Sequence, residues 1–320
     1  MTTALPWTPW ATLDGAPRLN ERTLAELLDG GQAFRWNRQP DGVWRGIWAT
    51  HVVELARDPN GSLLWRTPLT LAGTSSAALR AYLGLPAAAS PAKPSRGPSA
   101  HVSPLPVSYT DALPWRSDRH LANCLAAFPG LTLLRQPLAE TLLCFLCSAT
   151  KQIVQIKQMV ELLAQRHGAP LIPGVHRLPT WDELARASEA DLRLCLLGFR
   201  ARYIHQTALH LAAHPGWLET VGALPYPEAK AALCTLPGVG EKVADCVLLF
   251  GAGKWEAFPV DVWILKTMER RYALAGWKPT QIAHFGRVHF GPQAGLAQQY
   301  LFAYERAQAA AHRSPSAPTV

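Results

Sequence analysis

The stretch LCTLPGVGEKVADCVLLFG at residues 233–251, followed by FPVDVWILKTM at 258–268, decides how the chain is read. It spells helix, tight turn, helix, loop, helix. Apolar residues recur at helical spacing on both sides of Pro237-Gly238-Val239-Gly240, and the Pro and Gly residues interrupt the pattern between them. The glycines let this turn approach another object closely, and the first amides of the following helix have no intrahelical partner. Those amides and the helix dipole suit a phosphate. A Gly-rich turn also serves simply to pack two helices, so the hairpin alone leaves backbone binding and plain packing both open.

Lys242 lies in the first turn of the second helix, where a bound backbone would pass. A solvated surface lysine is the plain alternative. The positive end of a helix disfavours a protonated amine, partial burial pushes the same way, and a neutral amine is a competent nucleophile. Asp261 precedes the apolar run 262–265, a place suited to capping a helix through its side chain, and capping is the commonest fate of such an Asp.

Upstream, residues 32–36, 43–48, 51–55 and 62–65 are rich in β-branched and aromatic residues, with turn signals at Asp41-Gly42 and Pro59-Asn60-Gly61. This predicts an antiparallel sheet. A short helix is expected over 76–83, and 86–107 is rich in Pro, Ala and Ser, as a linker or exposed loop would be. Beyond Asp111 the spacing is helical almost to the end: 138–166 holds one long helix or two, and 190–197, 203–214 and 226–234 each suit another. The expected class is α+β, an amino-terminal antiparallel sheet domain packed on a larger all-α domain. Its expected divisions are an extension (1–17), the sheet domain (18–85), the linker (86–107), the helical domain (108–310, hairpin about 226–251) and a disordered tail (311–320).

With 320 residues, 48% of them hydrophobic, the chain can bury cores that meet at a cleft. Its 31 Lys and Arg outnumber 23 Asp and Glu, and the net charge of +8 favours a polyanionic partner, although scattered surface charge gives the same total. The six cysteines sit mostly in apolar runs and read as buried thiols in a reducing compartment. Cys144 and Cys147 form a CxxC, but no second pair or histidines at zinc spacing accompany it, so no metal is expected there. No export signal and no apolar run of about eighteen residues is found, which predicts an intracellular protein in a bacterial cytoplasm or nucleoid or a eukaryotic nucleus.

The run 236–250 with Phe258-Pro259-Val260-Asp261-Val262 resembles the helix-hairpin-helix, Gly/Pro-rich loop and aspartate of the base-excision DNA glycosylase superfamily. In that superfamily a lysine at the place of Lys242 marks the bifunctional glycosylase/lyases, and Asp261 falls on the essential aspartate. Three further segments are similar to the 8-oxoguanine DNA glycosylase family within it. Gly30-Gly31-Gln32-Ala33-Phe34-Arg35-Trp36 resembles its Gly-Gln-x-Phe-Arg-Trp motif, which implies that the Gly31 carbonyl reads the N7 proton separating 8-oxoguanine from guanine. Gly198-Phe199-Arg200-Ala201-Arg202-Tyr203 resembles the segment that wedges the duplex open and touches the base left behind, with Phe199 and Arg200 in those places. GLAQQYLF at 295–302 resembles the segment that gives a glutamine to the base's Watson–Crick edge and an aromatic face to its ring. Gln298 and Phe302 take these roles, with Cys246 on the other face of the ring.

The similarity runs in order from about residue 24 to 308, with 86–106 as an insertion. No four-cysteine cluster follows Asp261, so the iron–sulfur module of related enzymes is not expected. The chain departs from the pattern at SATKQIVQ, 148–155, where the family has an Asn-rich turn and then an arginine. Thr150, Lys151, Gln152 and Gln155 become the candidate DNA contacts there. Fewer and shorter donors would relax the choice of cytosine opposite the lesion. Trp263 stands where a histidine is often found.

The resemblance implies a bifunctional DNA glycosylase/AP lyase of base excision repair, acting as a monomer on double-stranded DNA whose damaged nucleotide is flipped out. Gly238, Val239 and Gly240 would hold the backbone. No membrane and no required cofactor is implied. Any ion would be a structural monovalent or calcium ion on hairpin carbonyls near Leu236 and Gly238. Two competitors remain: a monofunctional alkylpurine DNA glycosylase, which lacks the lysine and uses water, and a non-catalytic helix-hairpin-helix DNA-binding protein.

Overall fold

A computed structural model describes residues 6–86 and 109–313. Most of the expected linker, and residues 314–320 of the expected tail, lie outside the described residues. The amino-terminal sheet comprises β1 (Ala11–Thr12), β2 (Trp36–Arg38), β3 (Trp44–Trp48), β4 (His51–Arg57) and β5 (Leu63–Arg66). All pairings are antiparallel, in the order β1-β5-β4-β3-β2. Residues 6–17, set apart in the sequence as an extension, enter this sheet: β1 pairs with β5, and Trp7 bridges to Pro68. The register places Glu54 opposite both Arg45 and Arg66, so its buried carboxylate lies 2.7 and 2.6 Å from their guanidiniums. Pairing of this kind is what lets a charge stay on a buried face.

Two segments depart from the strand reading of 18–67. The first is a helix, α1 (Glu21–Asp29), whose Asn20 cap accepts the Thr23 amide at 2.7 Å and whose Leu24, Leu27 and Leu28 are buried on one face. The second is Gln32-Ala33-Phe34-Arg35, which is not strand. Its polar groups bond to the helical part instead of a neighbouring strand. The Gln32 amide donates to the Thr132 carbonyl (3.0 Å) and accepts the Leu134 amide (3.0 Å), while the Gln136 side chain donates to the Gln32 carbonyl at 2.6 Å. Arg35 pairs with Glu161 at 3.2 Å. This connector clamps the sheet to the helices.

Helix α2 (Ala72–Tyr82) covers the sheet, where Tyr82 lies 4.5 Å from the Trp48 ring and accepts the Trp36 indole N–H at 3.2 Å. Then come α3 (Arg119–Ala127), α4 (Leu138–Leu146) and α5 (Ile153–His167). The 138–166 stretch is therefore two helices, parted at a turn where Thr150 takes φ +56°. A small ribbon not anticipated in the sequence follows, β6 (Pro170–Ile172) with β7 (Val175–His176).

Next are α6 (Trp181–Arg186), α7 (Glu189–Arg193), α8 (Arg200–Ala213) and α9 (Trp217–Ala223). The hairpin is α10 (Tyr226–Leu233) and α11 (Glu241–Gly251). Helices α12 (Val262–Arg271), α13 (Pro279–Phe290) and α14 (Ala294–Arg313) complete the described chain, so residues 311–313 end a helix and are not tail. One cluster of buried apolar side chains extends from Leu13 in the sheet part to Ala303 on α14, which holds α11, α12, α14 and the Gly31 turn in fixed relation.

Candidate active site and nucleic-acid interface

Lys242 is half-buried in the first turn of α11. Its ammonium lies 5.3 Å from the centroid of the Phe145 ring, within cation–π reach. That ring is held by a stacked contact with Phe250 (5.6 Å) and an edge contact with Phe34 (5.4 Å), the latter from the clamped connector. One turn along α11 lies the buried Cys246, within electrostatic reach of Lys242. Burial pushes this thiol up to about 11, against the pull of the Lys242 charge. Cys246 is thus a neutral, apolar-walled neighbour of the amine and not a competing nucleophile.

Asp261 caps α12. Its Oδ1 accepts the amides of Trp263 (3.0 Å) and Ile264 (2.9 Å), so the capping reading holds. The same carboxylate lies within electrostatic reach of Lys242 and of Arg306 on α14. Burial raises its pKa, opposed by the Ile264 amide and then by the Lys242 charge. Both amides fall on one oxygen, and an ionised carboxylate keeps further acceptor capacity for a reacting group. Capping therefore orients Asp261 without exhausting it.

Beside this pair lies a second group. Gly31 has φ +103°, a left-handed conformation, and a side chain there would stand 3.2 Å from Ile153 Cδ1 and 3.8 Å from Phe302 Cε1. Only glycine brings the backbone so near these two side chains. Phe302 projects from α14, and one turn earlier the buried Gln298 accepts the Gln299 side-chain amide at 2.8 Å. Arg306, one turn after Phe302, places its guanidinium 5.1 Å from the Phe302 ring centroid. Gly31, Phe302 and Arg306 thus adjoin one another, Arg306 and Lys242 both act electrostatically on Asp261, and Lys242 acts on Cys246 as well.

The DNA-contact candidates divide. Gly238 and Gly240 are exposed at the hairpin, whereas the Val239 side chain is buried and its amide donates within the turn to the Leu236 carbonyl at 3.1 Å. Gly238 has φ +77°, and a Cβ there would fall 2.6 Å from the Tyr203 ring of α8. Gly238→Ala should therefore cost about 1–3 kcal/mol, from left-handed strain and the clash, and lower the thermal midpoint in a melting experiment. An unchanged midpoint would mean that the Tyr203 contact does not fix the turn.

Phe199 is 52% exposed at the start of α8, edge-on to Tyr203 at 5.9 Å. Arg200, beneath the Phe199 ring at 4.4 Å, is buried. Its guanidinium donates to the Ala149 carbonyl, to Thr150 Oγ1 (3.0 Å) and to the Leu197 carbonyl (3.2 Å). Arg200, expected to touch the base left behind, is thus committed to protein acceptors and joined to Thr150, while Gln155 is turned to the start of its own helix, its Oε1 accepting the Gln152 amide at 3.2 Å. Thr150, Lys151 and Gln152 are exposed.

Arg306, Ile153 and Phe145 were not among the sequence candidates. The spacing of Arg306 from Phe302, one helical turn, was the signal available for it. Among the described residues, no group of three or more His, Cys, Asp and Glu side chains is placed to hold a metal, and no helix is long and apolar enough to cross a membrane.

Residues 17–142 match the family described as 8-oxoguanine DNA glycosylase, N-terminal domain, and residues 143–287 match HhH-GPD superfamily base excision DNA repair protein. The chain is 34% identical over 301 residues to the Arabidopsis thaliana N-glycosylase/DNA lyase OGG1, covering 89% of this chain and 78% of that protein. The chain belongs to the 8-oxoguanine DNA glycosylase family. A probable N-glycosylase/DNA lyase of Methanothermobacter thermautotrophicus is 30% identical, over 68% of this chain and 76% of that one. The 8-oxoguanine glycosylase/lyase of Clostridium acetobutylicum, solved with double-stranded DNA containing cytosine opposite 8-oxoG, superposes with a TM-score of 0.76 at 30% identity. That likeness covers 89% of this chain and 92% of the other, so the α+β plan is a family property from the sheet to α14.

Proposed function

We propose that this family member removes 8-oxoguanine from duplex DNA and then cleaves the strand, as a bifunctional DNA glycosylase/AP lyase of base excision repair. What supports the reading is that Lys242 acts electrostatically on both the Asp261 carboxylate and the Cys246 thiol, and that Arg306, which also acts on Asp261, stands beside the Gly31–Phe302 pair. Phe199 fills the stack from which the damaged nucleotide is turned out, and amides at Gly238 and Gly240 hold the backbone. Gly31 and Gln298 read the base between Phe302 and Cys246.

The Lys242 amine, once it has given up its proton, attacks the anomeric carbon as the bond to the base breaks, and the base leaves with that bonding pair. Asp261 stabilises the positive charge that develops on the sugar and orients the amine. Loss of the ring oxygen bond gives a Schiff base, and removal of a proton from the adjacent carbon expels the 3′ phosphate by β-elimination. The presence of Lys242 favours this course over a water-using alkylpurine glycosylase, and Lys242 together with Asp261 favours it over a silent DNA binder.

The exposed Thr150, Lys151 and Gln152 face the base opposite the lesion, and the buried Arg200 braces their turn from beneath. With Gln155 occupied at its helix start and the Arg200 guanidinium committed to protein acceptors, few donors are left to choose cytosine, and the preference is correspondingly weak. The Leu236 carbonyl, whose second lone pair is not used by Val239, and the Gly238 carbonyl are the ligands for any monovalent or calcium ion at the hairpin. The chain acts as a monomer inside the cell.

An excision panel tests this function: duplexes carrying 8-oxoguanine, formamidopyrimidine or an alkylated purine, each opposite all four bases. Oxidised purines should lead the order. Equal cleavage of every substrate would remove the roles given to Gly31 and Gln298.

The acid limb of the reaction provides a further prediction. Because burial raises the Asp261 pKa, this carboxyl stays protonated to higher pH than an ordinary aspartate at about 3.9. As pH falls, cleavage of a preformed abasic site should therefore begin to fail above that range. A single-turnover profile that stays flat down to it would show that the ionised Asp261 is not needed.

A further inference from the structure

We propose that Arg306 is a positioning residue for base recognition: from α14 it fixes the Gly30–Gly31 turn against the Phe302 ring and so sets which base the pocket accepts. The inference rests on the reading of Gly31 and Phe302 as walls of that pocket. One guanidinium spans three partners. Its Nη1 donates to the Gly30 carbonyl at 2.8 Å and lies 3.1 Å from Glu26 Oε1, and its carbon stands 5.1 Å from the Phe302 ring centroid. Gly30 is the C-cap of α1 and donates its own amide to the Glu26 carbonyl at 2.9 Å. The cation thus sits at the negative end of α1, where both the unpaired carbonyl and the carboxylate favour it.

The reason a brace is needed lies in Gly31 itself. A peptide group is planar, so holding the Gly30 carbonyl also sets the plane in which the Gly31 amide lies. What remains free is the rotation at Gly31, a residue with more conformational freedom than any other and no side chain of its own to pack. Clamping one side of that glycine from the helix that carries Phe302 keeps the distance between the two walls constant. Arg306 also acts electrostatically on Asp261, so the brace borders the reacting centre.

Glu26 makes the brace sensitive to pH. Burial raises its carboxyl to about 7, with Arg306 of α14 and Arg22 of α1 lowering it and Asp29 of α1 raising it. Above that value Arg306 faces a carboxylate. As pH falls through it, Glu26 takes up a proton and Arg306 loses its charged partner.

The test compares two reactions of the full chain under single-turnover conditions: excision of 8-oxoguanine from duplex, and cleavage of a preformed abasic site, which has no base to read. Arg306→Met, which keeps the apolar stem, should slow 8-oxoguanine excision by about tenfold or more. At alkaline pH, where Asp261 stays ionised without the help of Arg306, it should slow abasic cleavage by less than about threefold. Arg306→Lys should recover part of the loss. Excision should also show an acid-side step near pH 7 that abasic cleavage lacks and that Glu26→Gln removes. Wild-type excision by Arg306→Met would overturn the proposal. So would a parallel fall of both reactions with a lowered thermal midpoint, which marks a mere clamp between α1 and α14. If the wild-type chain cleaves abasic sites but excises no 8-oxoguanine, the pocket reading itself fails and takes this inference with it.

Discussion

Lys242→Gln should leave a folded protein that binds lesion-containing duplex yet forms no borohydride-stable adduct and excises 8-oxoguanine roughly ten-thousandfold more slowly or worse. Glutamine keeps much of the length and the polar tip while removing the nucleophilic amine. The structural cost is small, because what Lys242 gives the fold is its place over the Phe145 ring. A partly exposed cation–π contact contributes about 0.5–1 kcal/mol. The substitution has a second effect. Lys242 is one of the charges that hold the Asp261 pKa down, so without it the buried carboxyl moves further toward its protonated form. Excision at near wild-type rate would instead mean that water attacks the sugar and that Lys242 only solvates the hairpin.

Asp261→Asn separates capping from chemistry. Asparagine caps a helix about as well as aspartate, so the bonds to the Trp263 and Ile264 amides have a neutral replacement and the thermal midpoint should move little. The rate should nevertheless fall by roughly a hundredfold to a thousandfold, the range typical for removing a group that stabilises charge in the transition state. Asp261→Ala should show the same kinetic loss plus about 1 kcal/mol of instability from the missing cap. If Asn retains full activity while Ala is impaired only in proportion to its lost stability, Asp261 is a cap and nothing more.

These two residues also mark the limit of what the amino-acid sequence carries by itself. The strand pattern of β3 to β5 was legible because alternation is local, and the hairpin because Gly and Pro interrupt helical spacing there. The short helix α1 was missed although Leu24, Leu27 and Leu28 keep helical spacing and Asn20 and Glu21 announce its start, since nine residues amid strand-like neighbours are too few to stand out. Residues 32–35 read as strand because their composition is strand-like. What decides their shape is bonding to Thr132, Leu134 and Gln136, about a hundred residues away. Lys242 and Asp261 were recognisable from family motifs, but the sequence pattern by itself fitted a solvated lysine and a helix cap equally well. Local spacing places Arg306 one turn from Phe302, but its tie to the Gly31 turn was not legible, because its carboxylate partner Glu26 is separated from it by 280 positions.

The central claim is that one lysine becomes bonded to the sugar. Its most direct test is borohydride reduction of the enzyme with 8-oxoguanine duplex, followed by proteolysis and mass analysis of the cross-linked peptide. The expected product is a single adduct on the peptide that carries Lys242, formed in proportion to strand cleavage. Base release without any adduct, or an adduct on another lysine such as the exposed Lys151, would contradict it.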